Sequence, residues 1–330
     1  MQNDETMKAI AVMQPASGPE YVPHFATPVA RGDHEVAVRM KAVAVKHLDR
    51  MRASGRHYSA QAAAWAPKVV GSDGVGLLPD GRRVYGMGLS GTMAAHALMD
   101  RKMMVPIPDG LGDALAAALP NGVMGSAMAL RFRARLQPGA TVLINGATGF
   151  TGGIAVQLAR HYGAGRIIAT GRDEAALQRL KSLGADEILS LKADDEAITT
   201  RLQALHQAAP IDVVIDYLWG RPATLILDVL KGNGGFTHRT AYITVGGMAG
   251  DAISLSSAIL RSTDLQLSGS GLGSWAKEEV ALLFSDILPE AFALAAAGRL
   301  TADTETCPME DIAQLWAKDF SGGKRLVVVV

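Results

Sequence analysis

The residues with the clearest chemical use are three glycines between an apolar run and a stretch of helical period. Gly146, Gly149 and Gly152 follow the apolar residues 141–144 and precede the helical pattern at 154–160, with the spacing G-x-x-G-x-x-G. Glycines at such a junction let the backbone approach a pyrophosphate, which the N-terminus of the helix stabilises. The segment predicts a dinucleotide site, and a tight turn without a ligand is the alternative. The candidate contacts are Gly146, Thr148, Gly149, Phe150, Thr151 and Gly152.

The end of the next apolar run, at 166–170, indicates which dinucleotide binds. An acidic residue at the end of the second strand of such a sheet usually accepts from the adenosine ribose, which selects NAD. Here the run is followed by Gly171 and Arg172, so the carboxylate is absent and a planar cation suited to a 2′-phosphate takes its place. We therefore expect NADPH as the cofactor. The alternative is that Arg172 pairs with Asp173 or Glu174 and lies in solvent.

These residues need a sheet to position them, and the sequence from residue 141 onward predicts one. Short β-branched or aliphatic runs alternate there with longer stretches of helical period, which is typical of βαβ units. The runs are 141–144, 166–170, 187–189, 211–216, 241–245 and 265–267. Six strands with helices between them make a complete doubly wound parallel sheet, the Rossmann architecture.

The two ends of the chain have a different texture. Before residue 141, Pro and Gly are scattered, and the alternation at 35–46 predicts a strand with one solvated face. Near the C-terminus, helical periods at 280–297 and 309–320 precede an aliphatic run at 325–330. Such a run favours aggregation unless it completes a sheet, so we expect it to return to the β-rich first domain.

The composition is that of a folded protein without excess charge. Apolar residues make up 48% of the chain, and the 32 Lys and Arg balance the 32 Asp and Glu. This balance predicts no nucleic-acid partner, and every apolar stretch is far shorter than the ~20 residues that span a bilayer. The polar, acidic start is unlike a secretory signal, so we expect a cytoplasmic protein. Cys307 is the only cysteine, which excludes an intramolecular disulfide and a cysteine-rich zinc site.

Several motifs, taken in order and spacing, resemble the medium-chain dehydrogenase/reductase superfamily and specifically its zinc-free quinone oxidoreductase branch. They are 71–76 (GSDGVG), 105–111 (VPIPDGL), 116–120 (AAALP), 156–159 (VQLA), 181–186 (KSLGAD) and 213–216 (VVID), and they extend over nearly the whole chain. The resemblance implies a GroES-like β-rich domain of residues 1–121 and 276–330. It also implies a six-stranded parallel Rossmann domain of residues 122–275 that binds NADPH.

The same resemblance indicates what the chain lacks. Zinc alcohol dehydrogenases of this superfamily carry a catalytic cysteine where this sequence has Lys46, and a histidine–glutamate pair where it has Ser72 and Asp73. Their remaining catalytic cysteine falls near Asn121, and the four-cysteine structural lobe is absent. With a single cysteine, the family's catalytic zinc is excluded, and we expect no metal. Without that Lewis acid, delivery of hydride to an activated acceptor is favoured over oxidation of an alcohol.

Candidate catalytic residues follow the strand predicted at 35–46. The resemblance implies that Lys46 and His47 face the nicotinamide, where Lys46 would stabilise an enolate or quinol anion and His47 would relay a proton. A surface lysine and a structural histidine are the alternatives. Tyr58 is a third candidate, as the donor of a phenolic hydrogen bond.

Four more residues are candidates for cofactor contacts. Asn121 and Ser126 stand where the chain enters the nucleotide domain. Gly246 and Gly247 close the fifth strand, where bare backbone would let the nicotinamide ring lie close. Helix capping by Ser126 and a plain turn at the two glycines are the alternatives.

Taken together, these features predict an NADPH-dependent reductase that transfers hydride to quinones or α,β-unsaturated carbonyls. The alternative is a non-catalytic NADPH-binding protein of the same fold, with a structural or sensor role. We also expect a homodimer, since the sixth strand is an edge of the open sheet that needs cover.

Overall fold

The computed structural model describes residues 5–14, 17–55, 66–232, 235, 238–318 and 321–330. The chain divides into two compact units, the first of Met1–Asn121 with Phe284–Val330 and the second of Gly122–Leu283. Residues 276–283 thus belong to the second unit, whereas the sequence-based limits assign them to the first. Within the described ranges, no helix has both the length and the apolar character that crossing a membrane requires.

Among the described residues, the first unit begins with seven strands and a short helix. They are β1 (Thr6–Val12), β2 (Glu20–Ala26), β3 (Glu35–Ala44), α1 (His47–Ala53), β4 (Lys68–Val69), β5 (Asp73–Leu77), β6 (Arg83–Gly88) and β7 (His96–Pro106). β1 pairs with β2 and β4 in a small antiparallel sheet, while β3, β5, β6 and β7 pair in a ring because β7 also pairs with β3. The expected alternation is present on β3, where Val36, Val38 and Met40 are buried in the core.

The second unit is a doubly wound sheet, as the sequence predicts. After α2 (Asp113–Met128) come β8 (Thr141–Asn145), α3 (Phe150–His161), β9 (Arg166–Gly171), α4 (Glu174–Ser182), β10 (Glu187–Ser190), α5 (Asp195–Ala208), β11 (Val213–Asp216), α6 (Gly220–Leu230), β12 (Thr240–Thr244), α7 (Ser257–Ser262), β13 (Leu265–Gly269) and α8 (Lys277–Leu282). All neighbouring strands are parallel, in the order β10-β9-β8-β11-β12-β13. This order brings the carboxyl ends of β8, β9 and β11 together at one edge, where α/β sheets bind their ligands.

The chain then returns to the first unit through α9 (Leu288–Ala296), β14 (Thr304–Pro308), α10 (Ile312–Leu315) and β15 (Arg325–Val329). β15 pairs with β14 and antiparallel to β3, so the C-terminal aliphatic run completes the first unit's sheet, as predicted. The single helix expected at 280–297 is instead interrupted by a π-helical turn at Leu283–Ile287. Pro289 explains the interruption, because proline has no N–H to donate and its ring clashes with the carbonyl group one turn earlier in the helix.

Candidate functional site

The glycine segment joins the carboxyl end of β8 to the start of α3. Gly146 has a φ of +87°, and a Cβ there would lie 2.8 Å from the Leu218 side chain. A Cβ on Gly152 would lie 2.5 Å from Ala147 Cα, so helix and loop approach as closely as bare backbone permits. Both positions therefore require glycine, and we call the bare-backbone segment from Gly146 to Gly152 the glycine cradle.

The start of α3 offers backbone donors at this cradle. Gly149 is the extended N-cap residue, and the first N–H of the helical ladder is that of Gly153, which donates to Gly149 O. The N–H groups of the turn before it cannot bond within the helix, and such groups favour an anion. Bare backbone and a helix N-terminus together fit the pyrophosphate of a dinucleotide. The side chain of Phe150 is buried, and that of Thr151 is half-buried.

The end of β9 lies beside this loop. Gly171 is buried, and Arg172 is exposed. The two neighbouring acids have other partners, because Asp173 caps α4 by accepting from Ala176 N at 2.9 Å and Glu174 accepts from the Ser190 hydroxyl. These hydrogen bonds involve one oxygen of each carboxylate, and the exposure of Arg172 agrees with the alternative in which its side chain lies in solvent. Phosphate binding by Arg172 stays a prediction.

A buried carboxylate lies at the end of β11, next to the loop. Asp216 is fully buried and accepts from Asn145 Nδ2 and the Tyr242 hydroxyl, each at 2.7 Å. It also accepts from the backbone N–H groups of Leu218 and Trp219, at 2.8 and 3.1 Å. Burial raises the pKa of Asp216, while these four hydrogen bonds act against that rise. The same contacts hold Trp219 at a φ of +53°, which is uncommon outside glycine.

Thr170 connects this carboxylate to the glycine loop. Its hydroxyl donates to Asn145 Oδ1 at 2.7 Å and accepts from Gly146 N at 3.2 Å. Its backbone oxygen accepts from Ala147 N at 2.7 Å. A continuous set of buried hydrogen bonds therefore runs from Asp216 through Asn145 and Thr170 to the loop.

The two predicted contacts on α2 are not brought to one face. Asn121 is half-buried, and Ser126 lies five positions further along a helix of 3.6 residues per turn. Ser126 is fully buried within the helix and donates to Gly122 O at 2.7 Å, so the capping alternative is wrong.

The two predicted glycines after β12 differ from each other. A Cβ on Gly246 would lie 2.9 Å from Tyr217 O, which explains the need for glycine there. Gly247 is exposed and its carbonyl accepts from Gly250 N at 3.3 Å, which is the geometry of a turn.

In the first unit, Lys46 lies in a buried ionic cluster at the junction of β3 and α1. The side chain is only 2% exposed, so the surface-lysine alternative is wrong. Its ammonium group contacts Asp73 Oδ1, Asp49 Oδ2 at 3.2 Å and Ala44 O at 3.4 Å. Those three acceptors match the three N–H donors of an ammonium group. The geometry thus favours a positioning role over direct stabilisation of a substrate anion.

Two further hydrogen bonds complete this cluster. The Tyr85 hydroxyl donates to Asp73 Oδ2 and the Ser72 hydroxyl to Asp49 Oδ1, both at 2.9 Å. Burial alone would lower the pKa of Lys46, but the two carboxylates raise it, so the side chain stays charged. Burial lowers the pKa of the nearby Arg325 to about 10, an effect that the same carboxylates oppose.

The other two catalytic candidates adjoin this cluster in sequence. His47 is the first residue of α1 and is exposed, directly after the buried lysine. Tyr58 lies outside the described residues.

A zinc ion does not fit this cluster. Between the two carboxylates lies the ammonium of Lys46, whose positive charge they already neutralise. The only thiol of the chain, Cys307, is on β14, and burial raises its pKa to about 11. Neither feature provides the thiolate and imidazole ligands that zinc prefers.

Sequence reasoning missed the buried partners of both groups of residues. The patterns predict Thr170 and Tyr242 only as strand residues and Asp216 as the end of a strand and of the 213–216 motif, and they do not single out Tyr85. A signal existed for Asp216, which is a carboxylate at the end of an apolar run. The convergence of β9, β11 and β12 on that carboxylate depends on strand order and could not be read from the spacing.

Comparison with known proteins gives a family model, relatives and solved structures to which this chain is similar. The family model described as zinc-binding dehydrogenase matches residues 151–286. The protein named probable NADPH-dependent quinone reductase tdiC, from Emericella nidulans, is 26% identical, with 89% of this chain and 92% of that protein covered. The mitochondrial enoyl-[acyl-carrier-protein] reductase of Arabidopsis thaliana is 27% identical, with 86% of this chain and 76% of that protein covered.

Two other kinds of match are a solved structure and a group of much longer proteins. The quinone oxidoreductase of Thermus thermophilus, whose complex with NADPH is also solved, superposes with a TM-score of 0.77 at 24% identity, over 98% of this chain and 100% of that one. The chain also matches much longer polyketide synthases, such as Pks15/1 of Mycobacterium marinum at 31% identity, over 66% of this chain but only 10% of that protein.

The fold is therefore the predicted pair of a GroES-like β-rich domain and a Rossmann domain. NADPH, the cofactor predicted from the sequence, is also the cofactor named for the Emericella and Thermus proteins. The family model and these relatives support the predicted resemblance to the quinone oxidoreductase-like branch of the medium-chain dehydrogenase/reductase superfamily.

Proposed function

We propose that the protein is an NADPH-dependent reductase that delivers hydride to a quinone or an α,β-unsaturated carbonyl. The observation that carries the proposal is the end of β9 beside the glycine cradle, where the last strand residue is a buried Gly171 and the next residue is an exposed Arg172. A guanidinium group suits a 2′-phosphate, and its acidic neighbours have other partners. The names of two relatives support the two acceptor classes, since one is a quinone reductase and the other an enoyl reductase.

NADPH, when bound, supplies the hydride. The backbone N–H groups of the glycine cradle would hold its pyrophosphate, and Arg172 would bind its 2′-phosphate. Gly246 would leave room beside the nicotinamide, because no side chain fits there. The contacts expected of Asn121, Ser126 and Gly247 stay predictions.

The reduced acceptor also needs one proton, and the candidates for its source belong to the first unit. We assign the relay to a ring nitrogen of His47, because its side chain is exposed and imidazole is the side-chain group suited to proton exchange near neutral pH. Lys46 acts through its neighbours: its backbone N–H donates to Asp49 Oδ2 at 3.0 Å and its ammonium is held by Asp73, which sets the position of the first turn of α1. Tyr58 stays a second candidate donor.

The test is oxidation of NADPH, followed by absorbance, with 1,4-benzoquinone and with cyclohexenone as acceptors. Steady turnover with either acceptor, faster with NADPH than with NADH, supports the proposal. Tight NADPH binding without turnover on both acceptors would instead support the non-catalytic sensor role.

Arg172→Ala tests the cofactor assignment separately. A hydrogen bond to a charged group contributes roughly 1.5–3 kcal/mol, or about ten- to a hundredfold in affinity. NADPH affinity should fall by that factor while NADH affinity hardly changes. Arg179→Ala, on the exposed surface of α4, is the control. Equal losses for both cofactors in Arg172→Ala would mean that Arg172 is only structural.

We also propose a homodimer that covers β13, which among the described strands pairs with β12 alone and so forms an edge of the six-stranded sheet. Light scattering at micromolar concentration should give twice the monomer mass, and a monomer would contradict the proposal. The cytoplasmic location stays a prediction.

A further inference from the structure

The absence of a carboxylate at the end of β9 has a steric cause in the glycine loop. A Cβ built on Gly171 would lie 2.7 Å from Thr148 Oγ1 and 3.0 Å from Thr148 Cβ, and Cγ2 is nearer still. Heavy atoms that are not bonded to each other do not approach so closely without a shift. The side chain of Thr148 therefore occupies the space that any side chain at position 171 would need.

Thr148 cannot easily give way by rotation. Its two γ atoms fill two of the three staggered positions at χ1, so a rotation vacates one position only by filling another. The Cβ atom itself, 3.0 Å from the built Cβ, does not move with χ1.

The loop that carries Thr148 is also held in place. Ala147 N donates to Thr170 O at 2.7 Å, and Gly146 N donates to the Thr170 hydroxyl at 3.2 Å. On the other side, Gly152 packs so closely on Ala147 that a Cβ there would be 2.5 Å from Ala147 Cα. Backbone contacts therefore hold the residue before Thr148 from two sides.

From these contacts we propose that Thr148 is a specificity-determining residue, acting with Gly171 to exclude the carboxylate that would select NADH. The proposal deepens the proposed function and rests on its preference for NADPH. Arg172 attracts the 2′-phosphate, and Thr148 prevents the chain from acquiring the competing acid by a single substitution. A change of cofactor therefore needs both positions.

The steric exclusion of a side chain at position 171 is tested with Gly171→Ala, which adds a Cβ but no charge. The substitution is made in the wild type and in a Thr148→Gly background. Dissociation constants for NADPH and NADH are measured by fluorescence titration on both variants, on Thr148→Gly alone and on the wild type. We expect Gly171→Ala to weaken both cofactors by about tenfold or more in the wild-type background, because the loop is displaced. In the Thr148→Gly background the same substitution should have little effect. This difference between backgrounds is the coupling that a double-mutant cycle isolates.

Gly153→Ala is the matched control. Its added Cβ would meet only Leu180, at 3.9 Å, so both dissociation constants should be unchanged. If Gly171→Ala does not fold by circular dichroism, recovery of folded protein in the double variant supports the proposal, and failure to recover contradicts it. Wild-type affinity for NADPH in Gly171→Ala, or an equal loss in both backgrounds, would overturn it.

The exclusion of the carboxylate that would select NADH is tested with Gly171→Asp. Alone, this substitution should weaken both cofactors, whereas combined with Thr148→Gly it should shift the NADH-to-NADPH affinity ratio by about ten- to a hundredfold toward NADH. An equal shift in the single variant would overturn the role of Thr148. Failure of the proposed function is distinguishable, because the wild type would then show no preference for NADPH.

Discussion

Each unit buries carboxylates beside the residues proposed to act, but the two units compensate the charge differently. In the first, Asp49 and Asp73 contact the ammonium of Lys46. In the second, Asp216 accepts from an amide, a phenol and two backbone N–H groups, and none of these donors is a cation. One cluster is ionic, and the other is a carboxylate held by neutral donors.

This difference predicts how much stability each cluster loses when a substitution removes one of its partners. Removing one partner from a buried ion pair leaves an uncompensated buried charge. The resulting loss of stability is far larger than the net stabilisation that the intact pair provides. A carboxylate with four neutral donors can lose one and retain the others, so its losses should be graded. The ionic cluster suits a rigid junction at the start of α1, while the neutral network links separate strands beneath the glycine loop.

The largest effect is expected from Lys46→Met, which keeps the length of the side chain and removes its charge. Two carboxylates that are 3% exposed or less would remain without the ammonium, and the free energy of unfolding should fall by about 3 kcal/mol or more. Urea unfolding measures this change. Lys102→Met, at an exposed position on β7, is the control and should change the unfolding free energy by ~0.5 kcal/mol or less. A comparable change in both variants would contradict the ionic role.

A smaller loss is expected from Asp216→Asn. The amide would keep one acceptor oxygen but present N–H groups to the Tyr242 hydroxyl or the Trp219 N–H, at a cost of about 2 kcal/mol. NADPH should also bind more weakly, because Asn145 links this carboxylate to the loop. Asp228→Asn, exposed on α6, is the control for both measurements. Unchanged NADPH affinity in Asp216→Asn would restrict Asp216 to a purely structural role.

Two tyrosines provide a matched comparison, since each hydroxyl donates to a buried carboxylate, Tyr85 at 2.9 Å and Tyr242 at 2.7 Å. Tyr85→Phe leaves Asp73 with its ammonium partner and should cost about 1 kcal/mol. Tyr242→Phe removes a donor from a carboxylate without a cationic partner and should cost about 2 kcal/mol. Thermal unfolding of both variants measures the difference. A larger loss of stability in Tyr85→Phe than in Tyr242→Phe would contradict the distinction between the two clusters.

The smallest effects concern pH, in two separate windows. The raised pKa of Lys46 stabilises the fold fully below its ordinary value of 10.5, and this contribution is lost as the pH rises through the folded value. The raised pKa of Asp216 means that the folded state holds this proton more tightly, so stability falls as the pH rises from 3.8 through the folded value.

The alkaline and acidic windows are measured separately with the variants Lys46→Met and Asp216→Asn. The difference in unfolding free energy between wild type and Lys46→Met should shrink as the pH rises from 10.5 through the raised folded value, because the contribution of the ammonium is lost over that range. The difference between wild type and Asp216→Asn should grow as the pH is lowered toward 3.8. Parallel curves in either window would mean that the group does not titrate as its burial implies.

Much of the fold was readable from the sequence because it depends on local patterns. Alternation predicted β3, apolar runs predicted the six parallel strands, and glycines between β8 and α3 predicted the cradle. The missing acid after β9 and the neighbouring Arg172 predicted NADPH. Each of these signals lies within a few residues, where side-chain chemistry and backbone geometry are set by the sequence itself.

The tertiary structure decided which side chains meet. Lys46 was predicted to act on a substrate, but β5 brings Asp73 to its ammonium, 27 positions away in the chain. Gly171 was interpreted as a missing acid, but its requirement for glycine comes from Thr148, which the order of β8 and β9 places against it. Local sequence determined β3, the six parallel strands and the glycine segment between β8 and α3. The charge balance of Lys46 and the closed space at Gly171 arise only when distant strands pair, because burial and contact depend on neighbours that spacing does not specify.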